Sequence, residues 1–206
     1  MKKKFLLTLS NLVLLLSLVT TVNAQFTRDA NFSINVDIEG AITTLREGDC
    51  GFYPPEVSST GPNEWGGPIN QDICGQLVWV DGDTSNILGC DPITNDLTGK
   101  IALIRRGICN FSYKAYLAQQ AGAVAVMIVN HSSTATENEC TVLNMAAGTN
   151  AADVTIPVVF LARQAGNPIG AALAAGQEIN VCFHLLRIYD AFAEYTHSVP
   201  VSQITP

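Results

Sequence analysis

Apolar and polar positions along this chain fall into a few clear patterns, and each pattern predicts an element. Phe32-Ser-Ile34-Asn-Val36-Asp-Ile38 alternates with period two, which is a strand buried on one face. Ala41–Leu45 predicts a second short strand, and Gly75–Val80 (GQLVWV) a third, closed by the turn residues Asp81-Gly82-Asp83. Lys100–Ile104 is a short apolar strand that Arg105-Arg106-Gly107 breaks. A helix starts near Asn110 or Ser112, either of which is a capping residue type. On it Phe111, Ala115, Ala118 and Ala121 form one apolar stripe at three-to-four-residue spacing, and Gly122 stops the helix.

Ala123–Val129 is apolar throughout, as in a strand covered on both faces. Strand, helix and strand of this length make a βαβ unit with parallel strands and a right-handed crossover. Thr155–Leu161 predicts a further strand, in which Pro157 implies an edge position or a strand start. Gln164–Ala175 predicts a second helix with Ala165, Ile169, Ala172 and Leu173 on one face, ended by Gly176. Ile179–Leu186 closes the domain, with Asn180, Cys182 and His184 alternating against Val181, Phe183 and Leu185. The fold class is therefore α/β: a short parallel sheet with two helices, plus antiparallel strands in a second sheet. Two stretches read as long loops, Cys50–Asp72 and His131–Asn150, and residues 188–206 as an exit linker.

Residues 1–24 are set apart from the fold. Lys2-Lys3-Lys4 is a basic start, Phe5–Val19 an apolar run, and Val22-Asn23-Ala24 a small-residue cut site, the pattern of a secretory signal peptide cleaved after Ala24. Its removal takes three lysines and no acid, so the net charge moves from −7 to −10. That balance excludes a nucleic-acid binder, which needs basic patches. The full chain is 48% hydrophobic and apolar residues stay plentiful beyond residue 24, enough for a core, which argues against disorder. The organisation expected is signal peptide 1–24, N-terminal strands and Gly/Pro-rich loop 25–71, a main domain 72–187 and the linker, with secretion and no membrane span after cleavage.

All six cysteines lie beyond residue 24, and an even count in an exported chain predicts disulfides. Six cysteines allow 15 connectivities. Neither C-x-x-C nor H-x-x-x-H spacing occurs, so no metal site is predicted. Asp81, Asp83 and Asp91 invite a calcium reading, but the segment lacks an EF-hand's length and terminal glutamate, and turn chemistry accounts for it.

The three histidines are His131, His184 and His197, and neither a G-x-S-x-G elbow nor H-E-x-x-H is present. Ser132 and Ser133 beside His131 are ordinary loop residues, since adjacency in sequence does not set a base on a hydroxyl. Cys109, after two arginines, is more simply a disulfide partner than a reactive thiolate. Gly99, Gly107 and Gly122 match no phosphate-binding spacing, so no cofactor is predicted. Arg105 and Arg106 near a helix start have the charge to bind an anion, although a solvated loop is the simpler reading. For Trp65 and Phe52 the simple reading is packing against the domain, with an exposed aromatic contact as the alternative. N-x-[ST] triplets stand at Asn31, Asn110 and Asn130 and matter only in a eukaryotic secretory path. No catalytic constellation assembles, which argues for a binding or regulatory module and not an enzyme.

One ordered set of residues resembles a known family. Gly99-Lys100-Ile101-Ala102-Leu103-Ile104, Arg106-Gly107-x-Cys109-x-Phe111, Lys114, Ala118, Ala121-Gly122-Ala123 and Val126–Asn130 are similar to the protease-associated (PA) domain. Gly75-Gln76-Leu77-Val78, Cys90-Asp91-Pro92 and Thr155-Ile156-Pro157-Val158-Val159 extend the resemblance over Asp72–Leu186, in the form found in secreted bacterial metalloproteases and other exported multidomain proteins. The resemblance implies a swivelling β/β/α fold without chemistry of its own, which binds proteins or peptides or controls substrate access. The partner implied is a protein or peptide, a peptidase domain or its substrate. It also implies a Cys90–Cys109 disulfide; the most economical pairing of the remaining four is then Cys50–Cys74 and Cys140–Cys182. Loops on a rigid sheet are where binding residues sit, so Arg105, Arg106, His131 and Trp65 mark the candidate interaction loops. The chain itself contains no peptidase domain, so it is either the accessory fragment of a larger secreted peptidase or a module that works alone.

Overall fold

The computed structural model describes residues 32–48, 50–53, 65–81, 87–130 and 138–185. The proposed signal peptide, Asn31, Asp83, His131, Ser132, Ser133, His197 and the exit linker lie outside those residues. The described part is a mixed α/β fold. Its strands are β1 (Phe32–Ile38), β2 (Ala41–Leu45), β3 (Phe52–Tyr53), β4 (Ile73–Trp79), β5 (Ile101–Arg105), β6 (Ala125–Val129), β7 (Val158–Leu161) and β8 (Ile179–Leu185). Two helices, α1 (Phe111–Gln120) and α2 (Arg163–Ala174), and one 3-10 turn (Ala151–Asp153) complete it.

The strands form a single sheet in the order β2-β1-β8-β4-β5-β6-β7-β3. The expected second antiparallel sheet is thus corrected: β4 joins the two halves. Ile73–Gln76 pairs antiparallel with β8, and Leu77–Trp79 pairs parallel with β5. One strand has two hydrogen-bonding edges, and here each edge is used over a different half of its length. β5–α1–β6 is the predicted βαβ unit, with Ile101 opposite Ala125 and Arg105 opposite Val129 in parallel register. Pro157 stands just before β7, so it marks the strand start and not an edge, for β7 lies between β6 and β3.

The helices cover opposite faces of the parallel half. Ala115 and Ala118 of α1 pack with Ala102, Ile104, Val126, Ile128 and Phe160 in one core. Phe111 meets Phe160 edge-on at 5.7 Å between ring centroids. Successive strand residues point to opposite faces, so Val129 and Trp79 belong to the other side. There α2 comes in close through its glycines: a Cβ at Gly166 would lie 2.4 Å from Val129 Cγ1, and one at Gly170 2.9 Å from Trp79 Cζ2. This double cover is why β6 is buried at all five positions.

Three disulfides staple the fold: Cys50–Cys140, Cys74–Cys182 and Cys90–Cys109. The expected pairs Cys50–Cys74 and Cys140–Cys182 are corrected. Sequence economy favoured near neighbours, but β8 inserts beside β4 and sets Cys182 directly opposite Cys74, with Cα atoms 4.1 Å apart. Cys50 precedes β3, four strands from β4 in the sheet order. It meets Cys140 because the start of α2 ties both segments down. Ala162 N–H donates to Gly51 O at 2.9 Å, Gln164 N–H to Glu139 O at 3.0 Å, and Arg163 Nη2 lies 3.0 Å from Glu139 Oε1.

Candidate functional site

The corner between β5 and α1 gathers most of the residues that the sequence marked. β5 ends at Arg105 because Gly107, at φ 135°, turns the chain away from the sheet. Ile108 follows at φ 63°, in the left-handed region that a β-branched residue strongly disfavours. Its side chain is 91% exposed. Cys109 then binds back: its N–H donates to Gly107 O at 2.9 Å and its sulfur is bonded to Cys90. Asn110 is the N-cap of α1, though its side chain makes no capping bond and instead donates to Thr149 Oγ1 at 3.4 Å.

Two buried side chains fix this corner from below. Ser112 donates to Thr149 O at 2.9 Å and accepts from Gly148 N–H at 3.1 Å, tying α1 to the loop beside it. Lys114 is fully buried, and its ammonium donates to Leu88 O and to Cys90 Sγ, the latter at 3.4 Å. Burial pushes that ammonium's pKa down from 10.5 to about 8, because the charged form loses water. Sequence reasoning assigned Lys114 no role. Its spacing from Phe111 and Ala118 puts it on the apolar stripe, but a lysine on such a stripe is ordinarily exposed.

The two arginines are held by the protein. Arg105 stacks its guanidinium over Trp79 at 5.6 Å, and Arg106 Nη1 donates to Asn130 Oδ1 at 2.9 Å. Asn130 is itself buried and donates to Thr141 O at 3.1 Å, which seals the end of β6. An open cavity of about 350 Å³ lies at the corner between Ile108, Asn110, Tyr113 and Thr149.

Other candidates fall away from this surface. Trp65 as an interaction residue is corrected: it is 6% exposed, packed in the α1 core, with its indole N–H donating to Met145 O at 2.6 Å. A large ring with one donor is most stable where the ring is dry and the donor has an acceptor. Asp81 Oδ1 accepts from Thr94 N–H at 2.6 Å, so this carboxylate serves the turn. His184 Nδ1 lies 2.8 Å from Asp72 Oδ2 on the surface of β8. Among the described residues no cysteine is free and no cluster of three or more His, Cys, Asp or Glu is grouped to hold a metal. No helix among them is long and apolar enough to cross a membrane.

Residues 73–169, from β4 into α2, match the family model of the PA domain. The chain carries a PA domain. Among curated proteins the chain is similar to the ER degradation-enhancing alpha-mannosidase-like protein 3 of Xenopus laevis, 33% identical over 133 residues, covering 63% of this chain and 14% of that protein. It is also similar to signal peptide peptidase-like 4 of Oryza sativa subsp. japonica, 35% identical over 88 residues, with 43% and 15% covered. The PII-type proteinase of Lacticaseibacillus paracasei is 34% identical over 102 residues, with 50% and 5% covered. The chain thus spans a small part of the length of each relative. Among solved structures, an aminopeptidase from Aneurinibacillus sp. strain AM-1 aligns with a TM-score of 0.45 at 25% identity, covering 74% of this chain and 30% of that one.

Proposed function

We propose that this chain is an exported, noncatalytic PA module of the swivelling β/β/α type that recognises a protein or peptide through the Gly107–Asn110 corner. The observation that carries the reading is Ile108. Two costs meet there, a left-handed backbone on a β-branched residue and an aliphatic side chain 91% in water. A disulfide, a buried lysine and two arginine contacts hold the corner rigid around that residue. A rigid apolar tip beside an open cavity is the form of a binding anchor, which is a central residue that loses its water on contact. The three disulfides and the sequence of residues 1–24 support an oxidising compartment and export.

Crosslinking with the mature domain at micromolar concentration tests this. The wild type is expected to capture a protein or peptide that Ile108→Asp fails to capture while keeping its circular dichroism spectrum. Finding no ligand, or equal capture by both, would count against the reading. A second reading has its own support: the stretch similar to the PII-type proteinase makes up 5% of that protein, as an accessory module of a larger secreted peptidase would. Sequencing the genomic DNA past Pro206 tests it, since an immediate stop with no peptidase gene nearby would remove it.

A further inference from the structure

The two ends of the eight-stranded sheet come to the same place. Phe32 of β1 lies against Phe52 of β3 with ring centroids 4.8 Å apart, so the sheet curls until its β2–β1 end faces Cys50 and Gly51. Between them runs a groove of about 460 Å³. Val36, Ile38, Ala165 and Ile169 give it an aliphatic floor, with Thr43 on one wall and Gly51 on the other.

One wall of this seam is a sheet edge. Among the described residues β2 pairs only with β1, and just past it Arg46 O accepts from Phe52 N–H at 3.3 Å, which closes that end of the seam and leaves Ala41–Leu45 as its open edge. Its sequence, Ala-Ile-Thr-Thr-Leu, has none of the charges, prolines or glycines that usually blunt an edge. Ala41–Thr44 are exposed. The turn residues Glu39 and Gly40 both have positive φ, 51° and 92°, as a two-residue hairpin requires. Such a turn makes Ile38 and Ala41 a hydrogen-bonded pair, so Ala41, Thr43 and Leu45 bond to β1. The backbone N–H and C=O groups of Ile42 and Thr44 then point away from β1. The charges at its two ends differ in sign: Glu39 and Glu178 are exposed at the hairpin end, and Arg46 follows Leu45 at the other.

We propose that the seam captures an extended segment of a partner protein as an added strand beside β2. Its alternate aliphatic side chains enter the groove, and a lysine or arginine sits at the hairpin end. Main-chain bonds to Ile42 and Thr44 supply affinity, and the groove supplies selectivity for aliphatic residues at every second position. Walls on both sides suit one strand, whereas a second copy of the chain would have to bring its own β1 along with β2. The proposal rests on the reading that this chain binds protein or peptide, but at another surface, since the seam shares no lining residue with the Gly107–Asn110 corner.

Fluorescence anisotropy of the mature chain with the labelled peptide Lys-Thr-Val-Thr-Leu-Thr tests it. Saturable binding is expected with a Kd on the order of 10–100 μM. Ile42→Pro removes an outward N–H without touching the β1 ladder and is expected to weaken binding about tenfold or more, whereas Ile42→Thr, whose N–H remains, stays within about twofold. Ala165→Phe fills the groove and is expected to weaken binding similarly, and replacing the peptide's lysine by glutamate to weaken it severalfold at low salt. Binding that fails to saturate by about 1 mM would overturn the proposal. So would Ile42→Pro and Ala165→Phe variants that, with wild-type circular dichroism spectra, bind as wild type does, or a mass that doubles with concentration through β2. If the seam fails while Ile108→Asp still abolishes capture of the partner, the corner reading stands alone.

Discussion

Removing the Cys74–Cys182 bond is the most informative perturbation of this fold. The two cysteines are 108 residues apart in sequence, and a loop of that size in a free chain corresponds to a closure entropy of about 4.7 kcal/mol. The other crosslinks shorten it. The shortest route from Cys74 to Cys182 runs back to Cys50, across to Cys140 and onward, about 66 residues, which lowers the figure to about 4.4 kcal/mol. Both side chains lie near the surface, so the double variant Cys74→Ala/Cys182→Ala loses little packing. The expected loss is about 4 kcal/mol, which for a chain of this size lowers Tm by roughly 8–16 °C. Urea denaturation followed by far-UV circular dichroism measures it, and thiol titration of the unfolded variants checks the connectivity. Cys74→Ala/Cys182→Ala should show no free thiol, whereas Cys50→Ala/Cys74→Ala should expose both Cys140 and Cys182. A loss below about 1 kcal/mol, or the opposite thiol pattern, would refute the reasoning.

Three further outcomes are expected. Because burial holds the folded pKa of Lys114 near 8 against 10.5, the folded chain binds fewer protons than the unfolded one between those values, and stability rises with pH across that window. Lys114→Met should flatten the rise in urea midpoints measured from pH 7.5 to 10.5, and an unchanged profile would show that another group causes it. Gly122→Ala, at φ +98° with its Cβ 2.9 Å from Thr98 Cα, should destabilise by about 1–3 kcal/mol in thermal unfolding. Trp65→Phe leaves Met145 O without its donor in the core and should lose about 1–3 kcal/mol by the same assay.

Local patterns in the sequence were enough to find seven of the eight strands and both helices, because each is encoded over a few residues; β3, two residues long inside the stretch read as a loop, is too short to show a period. Alternation in Ile179–Leu185 matches its burial, with Ile179, Val181 and Phe183 buried and Asn180 and His184 exposed, and Gly122 ends α1 as a C′ glycine does. Helix faces were less legible. The stripe on α1 omitted Lys114 and Ser112, both buried, and α2 packs through Gly166 and Gly170 as well as Ile169 and Ala172. A pattern of apolar residues registers neither a lysine whose donors are matched underground nor a glycine chosen for closeness.

The R-G-x-C-x-F signature and the order of elements around it identify the PA domain from sequence alone, since they depend on short-range turn and periodicity rules. The rest depended on long-range pairing. That β8 lies between β1 and β4 decides that Cys182 faces Cys74 and that the antiparallel strands share one sheet with the parallel ones, and the meeting of Trp65 with Met145, 80 residues on, buries its ring in the core. Neither periodicity nor cysteine spacing carries that information, because strand order is set by how the whole chain buries its faces. The exposure of Ile108 and the seam beside β2 are likewise products of tertiary structure: a side chain is an anchor, and an edge a binding site, only by virtue of what the fold leaves uncovered around it.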